Sequence, residues 1–428
     1  MNKVEKYHKI EFLGKANKDS HLKLDRSFFN DDSKRVLFDA RVDSKTNKIR
    51  EKALSFELAG PRTKLYFGSS ETNIGIVTCG GLCPGLNDVI RAIVYQSQAY
   101  KVKKIYGFRY GYRGIIKENN IQPIMLNKNI VNDIHEDGGT ILGSSRGAQD
   151  PKKTVDYLLE LKISILFTIG GDGTLRGAAE IAKEIKRRNA KISVIGIPKT
   201  IDNDISFSDK TFGFETAVEE ARKVLQSAHV ESKGFENGVG LVKLMGRNSG
   251  FIAAQSTLAS TDVNFCFIPE VKFELEGKNG LLEKLEKRLE TRNHAVIVVA
   301  EGAGQEFFDG NHEKDKSGNI LYNDIGVFLE DKIVKHFKSK NISVSVKYID
   351  PSYIIRSKPA NANDSLFCLQ LGQNAVHAGF SGRTNMFIGY VNYKLVHIPI
   401  PLGISKGKRI NPLGRLWKTV VSITEYYK

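Results

Sequence analysis

The chain has 428 residues, 41% of them hydrophobic, and exceeds the length of about 250–300 residues at which one core stops growing, so two lobes are expected. Its formal charge of +16, from 64 Lys and Arg against 48 Asp and Glu, admits nucleic acid, an anionic membrane surface or polyanionic small substrates. The basic residues fall in ordinary helical patterns such as KEIKRRNAK and LLEKLEKRLETR, with no zinc finger, aromatic RNA-binding stripe or basic tail, and no run approaches the roughly 18 apolar residues of a membrane span, so neither nucleic acid nor membrane is an expected partner.

The start MNKVEKYHKIEF has no apolar signal core and the end TEYYK no peroxisomal tripeptide, which makes a cytoplasmic location the expectation. Cys79, Cys83, Cys266 and Cys368 are too few and too scattered for a disulfide framework. A zinc site at Cys79 and Cys83 lacks two further ligands nearby, and a small residue lining a glycine turn explains that pair better.

Residues 1–71 are polar and weakly periodic and are expected as an extended N-terminal arm. From Thr72 the texture changes: NIGIVT, a β-branched run, leads into the glycine turn CGGLCPGLN and the helical pattern DVIRAIVYQSQAY. The unit recurs at ISILFTIGGDGTLRGAAEIAKEIKRRNAKISVIGIPKTIDND, and alternation of this kind builds a parallel sheet covered by helices. A helix near Thr216 to His229, the strand GVGLVKLMGR, the helix SGFIAAQSTLAS, the strand NFCFIPE, a charged helix near Leu281 to Arg292 and the strand HAVIVVAEG follow. MFIGYVNYKLVHIPIPLG reads as a strand pair, and a helix-like stretch with the single Trp417 closes the chain. The expectation is an α/β fold of two Rossmann-like lobes, 72–206 with part of 382–410 and then 207–381, plus the arm and a C-terminal tail at 411–428.

Gly80, Gly81 and Gly85, and then Gly170, Gly171 and Gly173, each stand between a strand and a helix, where bare N–H groups can cradle phosphate; a plain tight turn is the other reading. Neither turn has the GxxxxGK[ST] or GxGxxG pattern. Asp172 inside the second turn would repel phosphate unless Mg²⁺ lies between them; otherwise it caps the next helix. In PKTIDND, if extended, Thr200, Asp202 and Asp204 share a face, suiting Asp202 as a base for an acceptor hydroxyl, against an Asx-turn role. Arg146, among small residues, and Lys199 are the candidate cations for a transferring phosphoryl group.

Taken together, GGLCPGLN, GGTILGSSRG, IGGDGT, PKTIDND, LVKLMGR, VAEGAG and YIDPSYIIR resemble the 6-phosphofructokinases in their order, from about Thr72 to about Gly403. GGDGT alone also resembles NAD and lipid kinases, which lack the later segments. The resemblance implies transfer of the ATP γ-phosphoryl to the 1-hydroxyl of fructose 6-phosphate with Mg²⁺ on Asp172. It implies that Gly81, Arg146, Gly147, Gly171, Asp172, Gly173 and Thr174 bind ATP, and that Asp202 is the base, assisted by Arg146, Thr200 and Asp204. Thr200, Ile201, Asp202, Met245, Gly246, Arg247 and Glu301 would hold the sugar, and Tyr353, Ile354, Ile355 and Arg356 its 6-phosphate end.

Three departures qualify the likeness. Lys199 matches the pyrophosphate-dependent enzymes rather than the compact ATP enzymes, which have glycine there, whereas Gly173 matches the ATP users; these two positions set donor specificity. Tyr353 and Gly238 stand where the compact enzymes have a histidine and a cross-subunit arginine, so their allosteric contacts do not carry over. The mixture is similar to the ATP-dependent branch lying near the pyrophosphate-dependent enzymes, and the family implies a homotetramer or dimer. A pyrophosphate-dependent enzyme is the nearest alternative, and a basic nucleic-acid-binding or regulatory pseudo-enzyme a more distant one.

Overall fold

Asn73–Thr78, buried at every position, and Ile163–Gly170, buried at all but one, can be strands of this kind only where helices cover both faces of a sheet. The computed structural model describes residues 9–42, 44, 53–68, 70–308 and 321–427; the first eight residues and Lys428, used above for targeting, lie outside them. The chain divides into two units, one of Met1–Ile201, Ile205–Gly213 and Lys358–Gly407, the other of Asp202–Asp204, Phe214–Ser357 and Lys408–Lys428.

The first unit holds a nine-stranded sheet in the spatial order Arg35–Leu37, Ser55–Leu58, Lys394–Pro399, Met386–Val391, Ser193–Pro198, Ile163–Gly170, Asn73–Thr78, Lys104–Phe108, Ile124–Met125. The five strands from Met386–Val391 to Lys104–Phe108 are parallel, and the rest are added antiparallel at the edges. Asp172–Arg187 turns Leu175, Ala178, Ile181 and Ile185 into the core, where they pack with Leu166, Val194 and Phe387. The second unit is built on a four-stranded parallel sheet in the order Phe265–Phe267, His294–Ala300, Gly238–Leu244, Ser345–Ile349. Its core joins Leu241, Phe265, Ile297 and Val299 to Leu285 and Leu329 of the helices Leu281–Arg292 and Ile325–Ser339.

The α/β class with parallel sheets flanked by helices is what the strand and turn pattern led to, but the expected boundaries need three corrections. The helix Ala362–Phe380, assigned above to the second lobe, packs on Leu86–Ala99 in the first unit, because its apolar residues fit that helix. The tail begins at Lys408 and belongs to the second unit, where Arg415–Ile423 buries Trp417 and Val420 against Phe251–Ser260. The described part of the arm adds strands: Arg35–Leu37 and Ser55–Leu58 extend the nine-stranded sheet, and Glu11–Phe12 pairs with Arg383–Thr384. All four cysteines are buried free thiols, and no helix among the described residues is long and apolar enough to cross a membrane.

Candidate active site

In the first unit the glycine turns follow two strands that are parallel, hydrogen-bonded neighbours, so they lie at the same edge of the sheet. Gly80 donates its N–H to the Ser145 carbonyl at 3.0 Å and accepts from Ser144 Oγ at 2.6 Å. Its φ of +89° disfavours any side chain, and a Cβ there would stand 3.2 Å from Lys199 Nζ. Gly171 caps Asp172–Arg187, its carbonyl accepting from the N–H groups of Thr174 and Leu175 at 2.9 and 3.0 Å.

Lys199, which follows the strand Ser193–Pro198, spans both turns: its Nζ donates to the Gly81 carbonyl at 2.7 Å and its N–H to the Gly170 carbonyl at 3.0 Å. Arg146 is exposed, with Nη2 3.7 Å from where a Gly81 Cβ would stand, and Gly147 adjoins it in the same loop. A Cβ on Gly173 would meet nothing within 4 Å, so the helix start is open at that point. Asp172 is half exposed in the first helical turn and paired with Arg176 at 2.5 Å; it does not cap the helix, a place taken by Gly171. Thr174 is buried and positioned through its carbonyl, which accepts from Tyr112 Oη at 2.7 Å. The Thr200 carbonyl accepts from Thr211 Oγ1 at 2.7 Å, and Ile201 is buried.

PKTIDND is not extended as expected: residues 201–202 form a turn and Asn203 takes φ +53°, a conformation open to asparagine because its short polar side chain tolerates it. In the second unit the parallel strands Gly238–Leu244, His294–Ala300 and Ser345–Ile349 end at one edge, carrying in turn Met245, Gly246 and Arg247, then Glu301, then the short helix Ser352–Arg356. Gly246 has φ +130°, and a Cβ there would come 2.6 Å from the Ser249 carbonyl. Ser249 Oγ in turn donates to the Asp202 carbonyl at 3.1 Å.

Burial first, then the negative charges of Asp204 and Glu301, push the Asp202 carboxyl up to about 8, while Arg356 and Arg247 pull the other way. Asp202, Asp204, Arg247, Glu301 and Arg356 therefore form one electrostatic cluster within the second unit. Arg247 lies over the Tyr322 ring at 5.3 Å. Tyr353 is 83% exposed and Ile354 is exposed, but Ile355 and Met245 are buried in the core, so a ligand would meet those two through backbone.

Sequence reasoning missed residues that act through others. Lys243, inside LVKLMGR, pairs with Asp324 at 2.6 Å and Asp350 at 3.0 Å, and Asp350 accepts from Ser352 N–H at 3.0 Å, bracing the helix that carries Tyr353 and Arg356. A lysine within an apolar strand run was the available signal. Lys408 bonds the Asp202–Asp204 turn, and nothing in its local sequence signals that.

For magnesium, the donor chemistry fits: Asp172 is a half-exposed carboxylate at a helix start. An ion that arrives with nucleotide phosphates needs only one or two protein carboxylates, and Asp172 could supply one.

The family model described as Phosphofructokinase matches residues 73–379, and the chain belongs to this family. The ATP-dependent 6-phosphofructokinase of Borreliella burgdorferi is 50% identical over 97% of this chain and 96% of that protein. The ATP-dependent 6-phosphofructokinase of Trypanosoma brucei brucei is 46% identical over 93% of this chain and 83% of that one. Among solved structures, the pyrophosphate-dependent phosphofructokinase of Marinobacter aquaeolei superposes with a TM-score of 0.66 at 20% identity, covering 80% of this chain and 86% of that chain, a likeness of fold.

Proposed function

We infer that this chain is an ATP-dependent 6-phosphofructokinase, moving the γ-phosphoryl group of ATP to the 1-hydroxyl of fructose 6-phosphate and releasing ADP and fructose 1,6-bisphosphate. The observation that carries the reading is the Asp202 carboxyl, raised to about 8 beside Glu301, Arg247 and Arg356. A raised carboxyl is suited to taking a hydroxyl proton, and two arginines nearby are suited to an anionic sugar. The relatives' names supply the donor, and Gly173, with open space around it, supports a path for the nucleotide's α-phosphate.

On this reading Asp202 accepts the proton of the sugar 1-hydroxyl as that oxygen bonds to the γ-phosphorus, and the bond from γ-phosphorus to the bridging oxygen breaks with ADP as leaving group. Arg146 and the open N–H groups at the start of Asp172–Arg187 offset the charge on the phosphate oxygens. Thr200 and Asp204 orient the transferring group, Glu301 and Arg247 the sugar, and Arg356 with Tyr353 the 6-phosphate. Magnesium, held by Asp172 when bound with nucleotide, supplies neutralisation of phosphate charge. The enzyme acts in the cytoplasm. It works as a homo-oligomer, tetramer or dimer, and the exposed Leu366 and Leu369 on Ala362–Phe380 support self-association.

Phosphorus NMR of a reaction with fructose 6-phosphate, ATP and magnesium tests it. The expected outcome is a new phosphate monoester on C1 together with ADP; ATP hydrolysis without a bisphosphate, or phosphate on another carbon, would refute it.

A further inference from the structure

The C-terminal tail enters the second unit at Lys408, and its first contacts are with the turn that presents Asp202. Lys408 N–H donates to the Asp204 carbonyl at 2.7 Å, and Lys408 Nζ donates to Asn203 Oδ1 at 3.0 Å. Asn203 is buried and carries the positive φ that reverses the chain between the two aspartates. One lysine therefore holds both the backbone and the side chain of the residues on which the direction of Asp202 depends.

The lysine is itself fixed. Its Nζ lies 5.3 Å over the Phe251 ring, and two residues on, Ile410 N–H donates to Glu270 Oε1 at 2.8 Å. Glu270 also accepts from Gly250 N–H at 3.0 and 3.1 Å, at the start of Phe251–Ser260. Farther on, the tail is tied by Glu425, whose N–H donates to the Asn264 carbonyl at 2.8 Å and whose carboxylate pairs with Arg288. The near end of the tail thus bears on the reacting group, and the far end only on the scaffold.

We propose that Lys408 is a positioning residue for the phosphoryl transfer, aiming the Asp202 carboxyl from the C-terminal tail; this rests on Asp202 being the base. A misplacement of about 1 Å costs up to roughly 10²-fold in rate. Lys408→Met should therefore lower kcat by about ten- to a hundredfold while the KM values for fructose 6-phosphate and ATP stay within about twofold, because Arg247 and Arg356 are untouched. Lys408→Arg, which keeps a cationic donor, should recover most of the rate. Glu425→Gln, at the far end, should lower Tm and leave kcat as it is.

A double-mutant cycle with Asp202→Asn separates this inference from the one beneath it. If Lys408 acts through Asp202, Lys408→Met should change kcat little in the Asp202→Asn background. Wild-type kcat in Lys408→Met, an undiminished loss in the Asp202→Asn background, or a rise in sugar KM that accounts for the loss would each overturn the proposal. Asp202→Asn alone reads the base assignment independently. Lys408→Gln, whose amide nitrogen lies one bond short of Nζ and so loses the contact to Asn203 while staying polar, serves if methionine unfolds the chain: loss of kcat with Tm preserved supports the role, and wild-type kcat overturns it.

Discussion

At the scale of single residues, a base must be deprotonated to act, so a carboxyl raised to about 8 makes kcat/KM for fructose 6-phosphate fall about tenfold per pH unit below that value and level off above it. A flat profile between pH 6 and 8 would contradict the assignment. Asp202→Asn should cut kcat by on the order of 10²-fold or more with KM roughly unchanged. The same substitution should not destabilise the fold. The folded protein keeps on Asp202 a proton that the unfolded chain releases above 3.8, so stability falls as pH rises from there to about 8, and asparagine abolishes that loss. Scanning calorimetry at pH 8.5 should find the variant's Tm at or above that of the wild type. Arg356→Ala should raise the KM for fructose 6-phosphate far more than that for ATP, and the opposite split in initial-rate kinetics would exchange the two ends of the site.

Among elements, the join between the arm and the nine-stranded sheet is a buried ionic cluster. Arg383, buried, pairs with Glu57 and with Asp32 at 2.6 Å, and Arg62 with the same two at 3.0 and 2.6 Å. Burial would raise the Glu57 carboxyl, but His397 first and then Arg383 hold it far below the usual carboxylate range. Removing one partner leaves a buried charge, so Arg383→Met should cost about 3–5 kcal/mol in a urea titration. Beside it, His377 accepts or donates at 2.8 Å with Tyr100 Oη, and burial lowers its pKa to about 3 from 6.5. The unfolded chain binds that proton first as pH falls, so stability present above 6.5 is lost toward 3, and His377→Gln should flatten the dependence of Tm on pH across that interval.

The strands flanking the glycine turns were legible because β-branched runs, tight turns and amphipathic helices alternate there. Pro151–Glu160, Ile325–Ser339 and Ala362–Phe380 went unread, the last because it is apolar on much of its surface and offers no clean stripe. The reversal at Asn203 was unreadable for a different reason: asparagine permits a positive φ without requiring it. Which unit Ala362–Phe380 and the tail join is decided by contacts distant in sequence, which no local pattern encodes.

For the whole molecule, the phosphoryl donor separates an ATP-dependent from a pyrophosphate-dependent enzyme. The family resemblance implies that Lys199 matches the pyrophosphate users; in the structure its Nζ donates to the Gly81 carbonyl, and Gly173 leaves the helix start open. Gly173→Asp should abolish most ATP turnover, because a carboxylate beside Asp172 fills that opening and repels the α-phosphate at a cost of several kcal/mol. Any gain with pyrophosphate should be small and depend on Lys199. The most direct measurement is the wild-type rate of fructose 1,6-bisphosphate formation with magnesium and either ATP or pyrophosphate at equal concentration. Rapid turnover with ATP and little or none with pyrophosphate is expected; a preference for pyrophosphate would rule out ATP as the donor.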